Sequence, residues 1–139
     1  MGCLFCDIAA GTVPAHHVYG DEHVDAFLDK SPLFLGHTLV VPRRHVVTLD
    51  EAPPELLAPL FGAVQRVMRG VVAAAAAGGT FVAMNNGVSQ SVAHLHVHVV
   101  PRKKGDGMKG FFWPRHKYQG EEDAAEWAVR IRAAIDAAS

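Results

Sequence analysis

Charge of one sign, sulfur and long uninterrupted apolar runs are all scarce in this chain of 139 residues. Lysine and arginine number 13 against 14 acidic residues, which leaves a net charge of -1 and a pI near 6.7. Neither value supplies the electrostatic footprint that a nucleic acid polymer or an anionic membrane surface calls for, so neither partner is expected. The longest apolar stretch runs from Val71 to Ala77, too short for a spanning helix, and no charged region followed by a hydrophobic one opens the chain; a cytoplasmic protein is expected. Met1-Gly2-Cys3 does not begin a myristoylation pattern, because Cys6 stands where Ser or Thr is required. In a reducing compartment the spacing of the two cysteines, Cys3 and Cys6, reads as a metal clip or redox pair; the plainer reading is two small buried residues near a chain end. Half of the residues are apolar, with no long polar tract and no internal repeat, so a single domain over residues 1–139 is expected.

What the chain does contain is periodicity. Short strands are expected over Ala15 to Tyr19 and Val24 to Leu28 around a Gly20-Asp21-Glu22 turn, then over His37 to Val41, stopped by Pro42. Leu57, Leu60, Phe61, Val64, Val67, Met68 and Val71 recur at helical spacing and predict a long helix that starts between Pro54 and Pro59 and ends at Gly78-Gly79. Its apolar stripe is wide enough to cover a sheet and a partner subunit beside it. A strand over Thr80 to Met84, the turn Asn85-Asn86-Gly87, a strand over residues 94–100 and a final helix from about Glu122 complete the reading.

Within that penultimate strand, His94, His96 and His98 alternate with Leu95, Val97 and Val99, so three imidazoles share one face while the apolar residues take the other. Alternate residues lie roughly 6.6 Å apart along a strand, which separates the outer two rings by about 13 Å. They cannot all close on one metal ion. A linear array suits an extended ligand, and a phosphate chain is the obvious one that seeks imidazoles.

The row resembles the signature of the histidine-triad (HIT) family, His-φ-His-φ-His-φ-φ with φ apolar, complete here from His94 to Val100. Gln90-Ser91-Val92 before it, Pro101-Arg102 after it, Phe27-Leu28-Asp29 and Gly36-His37-Thr38-Leu39-Val40-Val41-Pro42 also fit, so the likeness spans roughly Cys3 to Trp113. The resemblance implies an α+β fold in which a five-stranded antiparallel sheet carries a long helix, with a C-terminal helix added, and in which two subunits form a homodimer with one continuous sheet. It also implies hydrolysis or transfer at the α-phosphate of dinucleoside polyphosphates, nucleoside phosphoramidates or related adenylylated substrates through a covalent nucleotidyl-histidine, with phosphate able to replace water as acceptor. His96 is then the nucleophile and His98 a donor to the phosphate, while Ser91 and Gln90 hydrogen-bond phosphate or leaving group. Asp29 is expected to bind the ribose, with the base between Phe5 and Phe27; Asn85 approaches the phosphate or sugar, and His37 buttresses a triad imidazole. The chemistry has its own logic, since a neutral imidazole is both a competent nucleophile near pH 7 and a serviceable leaving group.

Some bacterial-type relatives add a structural zinc, and the matching positions here are Cys3, Cys6, His45 and His94. Two thiolates and two imidazoles satisfy a closed tetrahedral site, which leaves no open position for water or substrate. No catalytic metal is required by this chemistry, although magnesium can accompany a polyphosphate substrate. Each residue also has a plainer reading: Asp29 as the start of a turn into Lys30-Ser31-Pro32, Phe5 and Phe27 as core, Ser91 and Gln90 as turn residues, Asn85 as part of a simple turn. The loop Gly87-Val88-Ser89-Gln90 is shorter than in many relatives and places Ser89 where glycine is common. Phe111, Phe112, Trp113 and Pro114 fall where relatives shape the leaving-group side. The rival function from another class is a nucleotide-binding or sensing module without turnover; a third is a zinc hydrolase.

Overall fold

The computed structural model describes residues 2–109 and 115–138, so the expectations placed on Phe111, Phe112, Trp113 and Pro114 lie outside the described residues. In chain order the elements are α1 (Leu4–Ala9), β1 (His17–Gly20), β2 (Val24–Leu28), β3 (Thr38–Pro42), a 3-10 turn (Leu49–Glu51), α2 (Pro54–Ala75), β4 (Gly79–Ala83), β5 (Val97–Arg102) and α3 (Glu121–Ala138). The five strands form one antiparallel sheet in the order β1-β2-β3-β5-β4. This is the expected α+β architecture.

Alternation along the strands divides the core between the two faces of the sheet. Val24 and Ala26 of β2, Val40 of β3, and Val97 and Val99 of β5 pack beneath Leu60, Ala63, Val64, Val67 and Val71 of α2. On the opposite face Phe27, Leu39 and Val41 pack against Phe5 and Ile8 of α1. By length and mean hydropathy α2 would pass for a spanning helix; the burial of one side of it against the sheet is what such a composition serves here. Its second apolar flank, Leu57 and Phe61, is exposed, as is Val82 on the edge strand β4.

Several boundaries differ from expectation for physical reasons. Pro54 starts α2 at the first helical position, where its missing N–H costs nothing, and Pro59 is carried inside the helix at the loss of one backbone bond. The helix ends at Ala76, which takes a left-handed conformation (φ 52°) two residues before the glycines expected to stop it. The histidine strand begins at Val97, so His94 and His96 precede the ladder in an extended segment. There the Pro42 carbonyl accepts from the His94 ring at 2.8 Å, and the Leu95 N–H reaches the Val46 carbonyl at 2.7 Å. Alternation still holds, because Leu95 joins Val97 and Val99 under α2. Helix α1 was not expected, being only six residues long.

The chain divides into two compact units after Asp106. The first contains every strand, α1 and α2; the second contains α3, whose Trp127, Ile131 and Ile135 are exposed along one stripe, with the Arg130 guanidinium 4.2 Å above the Trp127 ring.

Candidate functional site

The three histidines of the row occupy three different environments. His94 is fully buried and its Nε2–H donates to the Pro42 carbonyl at 2.8 Å, which aims the Nδ1 lone pair the other way. There it meets the Cys3 Sγ at 3.3 Å, the Cys6 Sγ at 3.4 Å and the His45 Nδ1 at 3.2 Å, while the Cys6 Sγ and His45 Nδ1 stand 3.4 Å apart. A tetrahedral zinc with ordinary Zn–S and Zn–N bonds has N···N edges of about 3.3 Å and N···S edges of about 3.5 Å. The cluster has those dimensions. Helix α1 explains the cysteine spacing, since residues one turn apart present both sulfurs on one side. Burial, followed by the hydrogen bond and charge of Cys3, pushes the Cys6 thiol up to about 11. Without a cation beside it the Cys6 sulfur therefore stays a thiol at neutral pH, and burial that keeps the His94 ring below its ordinary pKa leaves it neutral, as a ligand must be.

His96 is buried, and its Nδ1 lies 2.8 Å from the His94 carbonyl oxygen. A carbonyl only accepts, so Nδ1 carries the hydrogen and Nε2 keeps its lone pair. Phe5 packs edge-on against this ring with centroids 5.1 Å apart, and His98 makes a second edge-on contact with it, also at 5.1 Å. The ring is held in plane and orientation without any use of its Nε2.

At His98 the tautomer is set by a chain of donors. The backbone N–H of Leu33 donates to His37 Nδ1 at 3.1 Å, so the neutral His37 ring bears its hydrogen on Nε2. That nitrogen stands 2.9 Å from His98 Nδ1 and 3.5 Å from Asp29 Oδ2. Donation to His98 Nδ1 makes that atom an acceptor, and the neutral His98 ring consequently presents Nε2–H. Burial, with His96 and His37 adding repulsion, pushes the His98 pKa down to about 4, and burial lowers His37 against the pull of Asp29. Both rings are neutral near pH 7. Asp29, His37 and His98 also lie close enough to hold a cation, although their hydrogen bonds already account for them.

The remaining expected residues are distributed around this core. Asp29 Oδ1 accepts from the Ser31 N–H at 2.8 Å, the turn that the sequence suggests, while Oδ2 faces His37. Gln90 braces its loop: its amide donates to the Val47 carbonyl at 2.6 Å and accepts from the Gly87 N–H at 2.9 Å. Ser91 and Asn85 are exposed. Ser89 adopts a left-handed conformation (φ 60°), which is why glycine is favoured at such a place. Phe5 and Phe27 are brought together, with a correction: their rings meet edge-to-face with centroids 5.4 Å apart and both are buried, so no slot for a base exists between them. They form one wall. A backbone carbonyl on the inner nitrogen of His96 is what its nucleophilic role leads one to expect; which backbone groups set each tautomer, Pro42 C=O, His94 C=O and Leu33 N–H, the sequence does not identify, because residue type carries no signal for them.

A cavity of about 820 Å³ lies elsewhere, bounded by Val67 and Val71 of α2 and by Leu28 and Thr38 at the strand ends. It opens on the face opposite the histidines and contains none of them.

Residues 10–105 match the HIT domain family. The chain is 35% identical over 137 residues to an adenylylsulfatase of Arabidopsis thaliana, covering 94% of this chain and 68% of that protein. It is 31% identical over 124 residues to an adenosine 5'-monophosphoramidase of Schizosaccharomyces pombe, covering 88% and 90%. Among solved structures it resembles a HIT family protein from Bacillus subtilis, with TM-score 0.86 and 38% identity over 96% of each chain. It also resembles a zinc-bound histidine triad family protein from Mycobacterium smegmatis, with TM-score 0.74 and 37% identity over 100% of this chain and 99% of that one. With the triad signature, the matching sheet and the Cys/His cluster in one chain, this protein belongs to the HIT domain family.

Proposed function

We propose that the chain is a nucleotide hydrolase that acts at an α-phosphate through a covalent intermediate on His96. The observation that carries this reading is the hydrogen bond from His96 Nδ1–H to the His94 carbonyl, because it frees Nε2 as a nucleophile at neutral pH. Attack by the Nε2 lone pair on phosphorus forms a P–N bond and breaks the bond to the leaving group, which departs with its electron pair. The ring becomes cationic, and the His94 carbonyl oxygen holds its remaining N–H. His98 Nε2–H donates to a non-bridging phosphate oxygen and stabilises the charge that develops there. Water then attacks phosphorus, the P–N electrons return to Nε2, and a nucleoside monophosphate leaves. Inorganic phosphate in place of water gives the phosphorylase or transferase variant.

The names of the two curated relatives support the substrate class: adenylylated sulfate and an adenosine phosphoramidate both present an α-phosphorus, joined in the first to sulfate, which leaves as an anion, and in the second to a nitrogen that leaves as ammonia or an amine once it has taken up a proton. Asp29 is assigned to the ribose hydroxyls through its carboxylate, and Ser91 and Asn85 to the open side where the phosphate and leaving group sit. Cys3, Cys6, His45 and His94 would hold a structural zinc, which when bound ties α1 to the start of the histidine segment. The exposed Leu57, Phe61 and Val82 and the open edge of β4 support a homodimer. Sedimentation analysis should give twice the chain mass.

The deciding experiment compares wild type and His96→Ala on diadenosine tetraphosphate and on an adenosine phosphoramidate. Turnover present in wild type, lost in the variant and unaffected by brief chelation supports the covalent mechanism. Nucleotide binding without turnover in wild type would establish a binding module instead, and chemistry abolished by a chelator in a still-folded protein would make it a metal hydrolase.

A further inference from the structure

Cys3 and Cys6 are the two cysteines of the chain, and both are only partly buried. Within the Cys/His cluster they are the pair that comes from a single element. Cys3 stands at the N-cap of α1 and Cys6 in its first turn, and the Asp7 N–H donates to the Cys3 carbonyl at 3.0 Å, which makes that turn helical. Helical geometry sets residues three apart at about 5 Å between Cα atoms, inside the window of roughly 4.4–6.8 Å that a disulfide spans. The ligand atoms of the cluster lie within 4.8 Å of one another, so rotation of two side chains with little movement of the backbone brings the sulfurs to bonding distance.

The other half of the cluster comes from outside α1: His45 follows β3, and His94 precedes β5. When all four residues hold one metal, they tie α1 to both of those segments. A disulfide inside α1 gives up both ties, because neither of its sulfurs is a thiolate and two imidazoles alone do not fill a tetrahedral zinc site. Helix α1 has six residues, too few to keep its shape unaided, and without the cluster it rests on Phe5 and Ile8 beneath the sheet. The same two sulfurs thus serve either a tie across the fold or a bond within one turn.

Resting on the zinc reading above and going beyond the nucleotide chemistry, we infer that Cys3 and Cys6 are a peroxide-sensitive modification site, at which a reversible disulfide expels the metal and lowers the stability of the fold. In the zinc-loaded state both sulfurs are thiolates. One attacks an oxygen of hydrogen peroxide, the O–O bond breaks, and a sulfenic acid and hydroxide form; the second thiolate attacks the sulfenic sulfur, the S–S bond forms and another hydroxide leaves. The sulfurs lose two electrons, the peroxide gains them, and two protons from solvent turn the hydroxides into water. No third cysteine exists in the chain to exchange with the pair. Such a site controls folded lifetime: at a temperature between the melting points of the two forms, oxidation unfolds the chain.

The test treats reduced, zinc-loaded wild type with hydrogen peroxide while a chromogenic chelator reports free zinc, the chain mass is read by mass spectrometry, and a thermal melt follows. The expected result is release of about one zinc per chain in step with a mass lower by about 2 Da and a Tm lower by roughly 10–20 °C, with mass and Tm both recovered on adding dithiothreitol and zinc. Cys6→Ser keeps the methionines and so controls for their oxidation; peroxide should neither lower its mass nor move its melt. Zinc retained by an oxidised chain, release with sulfinic acid and no disulfide, or an unmoved wild-type melt overturns the inference and leaves the metal site standing. Reduced wild type that takes up no zinc removes the metal reading, and the inference with it.

Discussion

At the His94 end of the row, an imidazole lone pair points at two sulfurs and a second imidazole; at the His98 end, four residues later, it points at the N–H of His37. The His94 ring is buried and the His98 ring half-buried, each among polar partners, and both have lowered pKa values with desolvation as the leading cause. What separates them is which nitrogen the surroundings occupy. Pro42 takes Nε2–H of His94 and leaves Nδ1 for a metal; His37 takes Nδ1 of His98 and leaves Nε2–H for a phosphate. Identical residues at identical spacing thus present an unoccupied lone pair at one end and an unoccupied N–H at the other, through second partners drawn from other strands and loops.

The sharpest way to break this comparison is to remove one ring at a time. His96→Ala should lower kcat/KM on a phosphoramidate by about 10³-fold or more while the unfolding midpoint moves little, since the ring contributes chemistry rather than a cross-link. His94→Ala should do the reverse. Cys3→Ser or Cys6→Ser probes the metal end without replacing a histidine of the row: with about 3–5 kcal/mol of metal-linked stability, Tm should fall by roughly 10–20 °C in a thermal melt, and a chelator should lower wild type in the same direction. A melt unmoved by either treatment would leave the cysteines as packing residues.

The other end answers to a different substitution. His37→Phe removes the N–H that sets the His98 tautomer, so kcat should drop about 10- to 100-fold with KM nearly unchanged, and His37→Gln, which restores an N–H, should recover part of the loss. Acid titration sharpens the same point. An unfolded His98 takes up its proton as pH falls through the ordinary value of 6.5, whereas the folded ring resists until about 4. The unfolded state therefore binds more protons in that window, so this contribution to stability is complete above 6.5 and is lost on descending to 4. Urea unfolding at several pH values should show the slope, and His98→Gln should flatten it. The smallest effect is expected in the loop between the ends, where Ser89→Gly relieves a left-handed residue and should stabilise by at most about 1 kcal/mol.

How much of this was legible in the sequence depended on whether side chains or backbone carried the information. The period-2 alternation around the triad and the 3.6 period of α2 are side-chain patterns, and both held even where the boundaries moved. The limits of β2, Val24–Leu28, agree with the sequence because Gly20-Asp21-Glu22 and Asp29 punctuate both ends. Helix α1 was invisible for the opposite reason: six residues are too few to stand alone, and their helical state derives from Phe5 and Ile8 packing under the sheet. The Cys3-Cys6 spacing was the one available clue, since it places both sulfurs one turn apart. Likewise the strand start at Val97 follows from the Pro42 carbonyl being diverted to an imidazole, and the closed gap between Phe5 and Phe27 from tertiary packing that no local pattern encodes.

The central claim is that His96, and neither neighbour, carries the reacting phosphorus. Rapid acid quenching of wild type with a labelled adenosine phosphoramidate, followed by peptide mapping in a mass spectrometer, should find the adenylyl group on the His96 imidazole. Adenylation of His94 or His98, or turnover that proceeds with no adduct on His96, would contradict it.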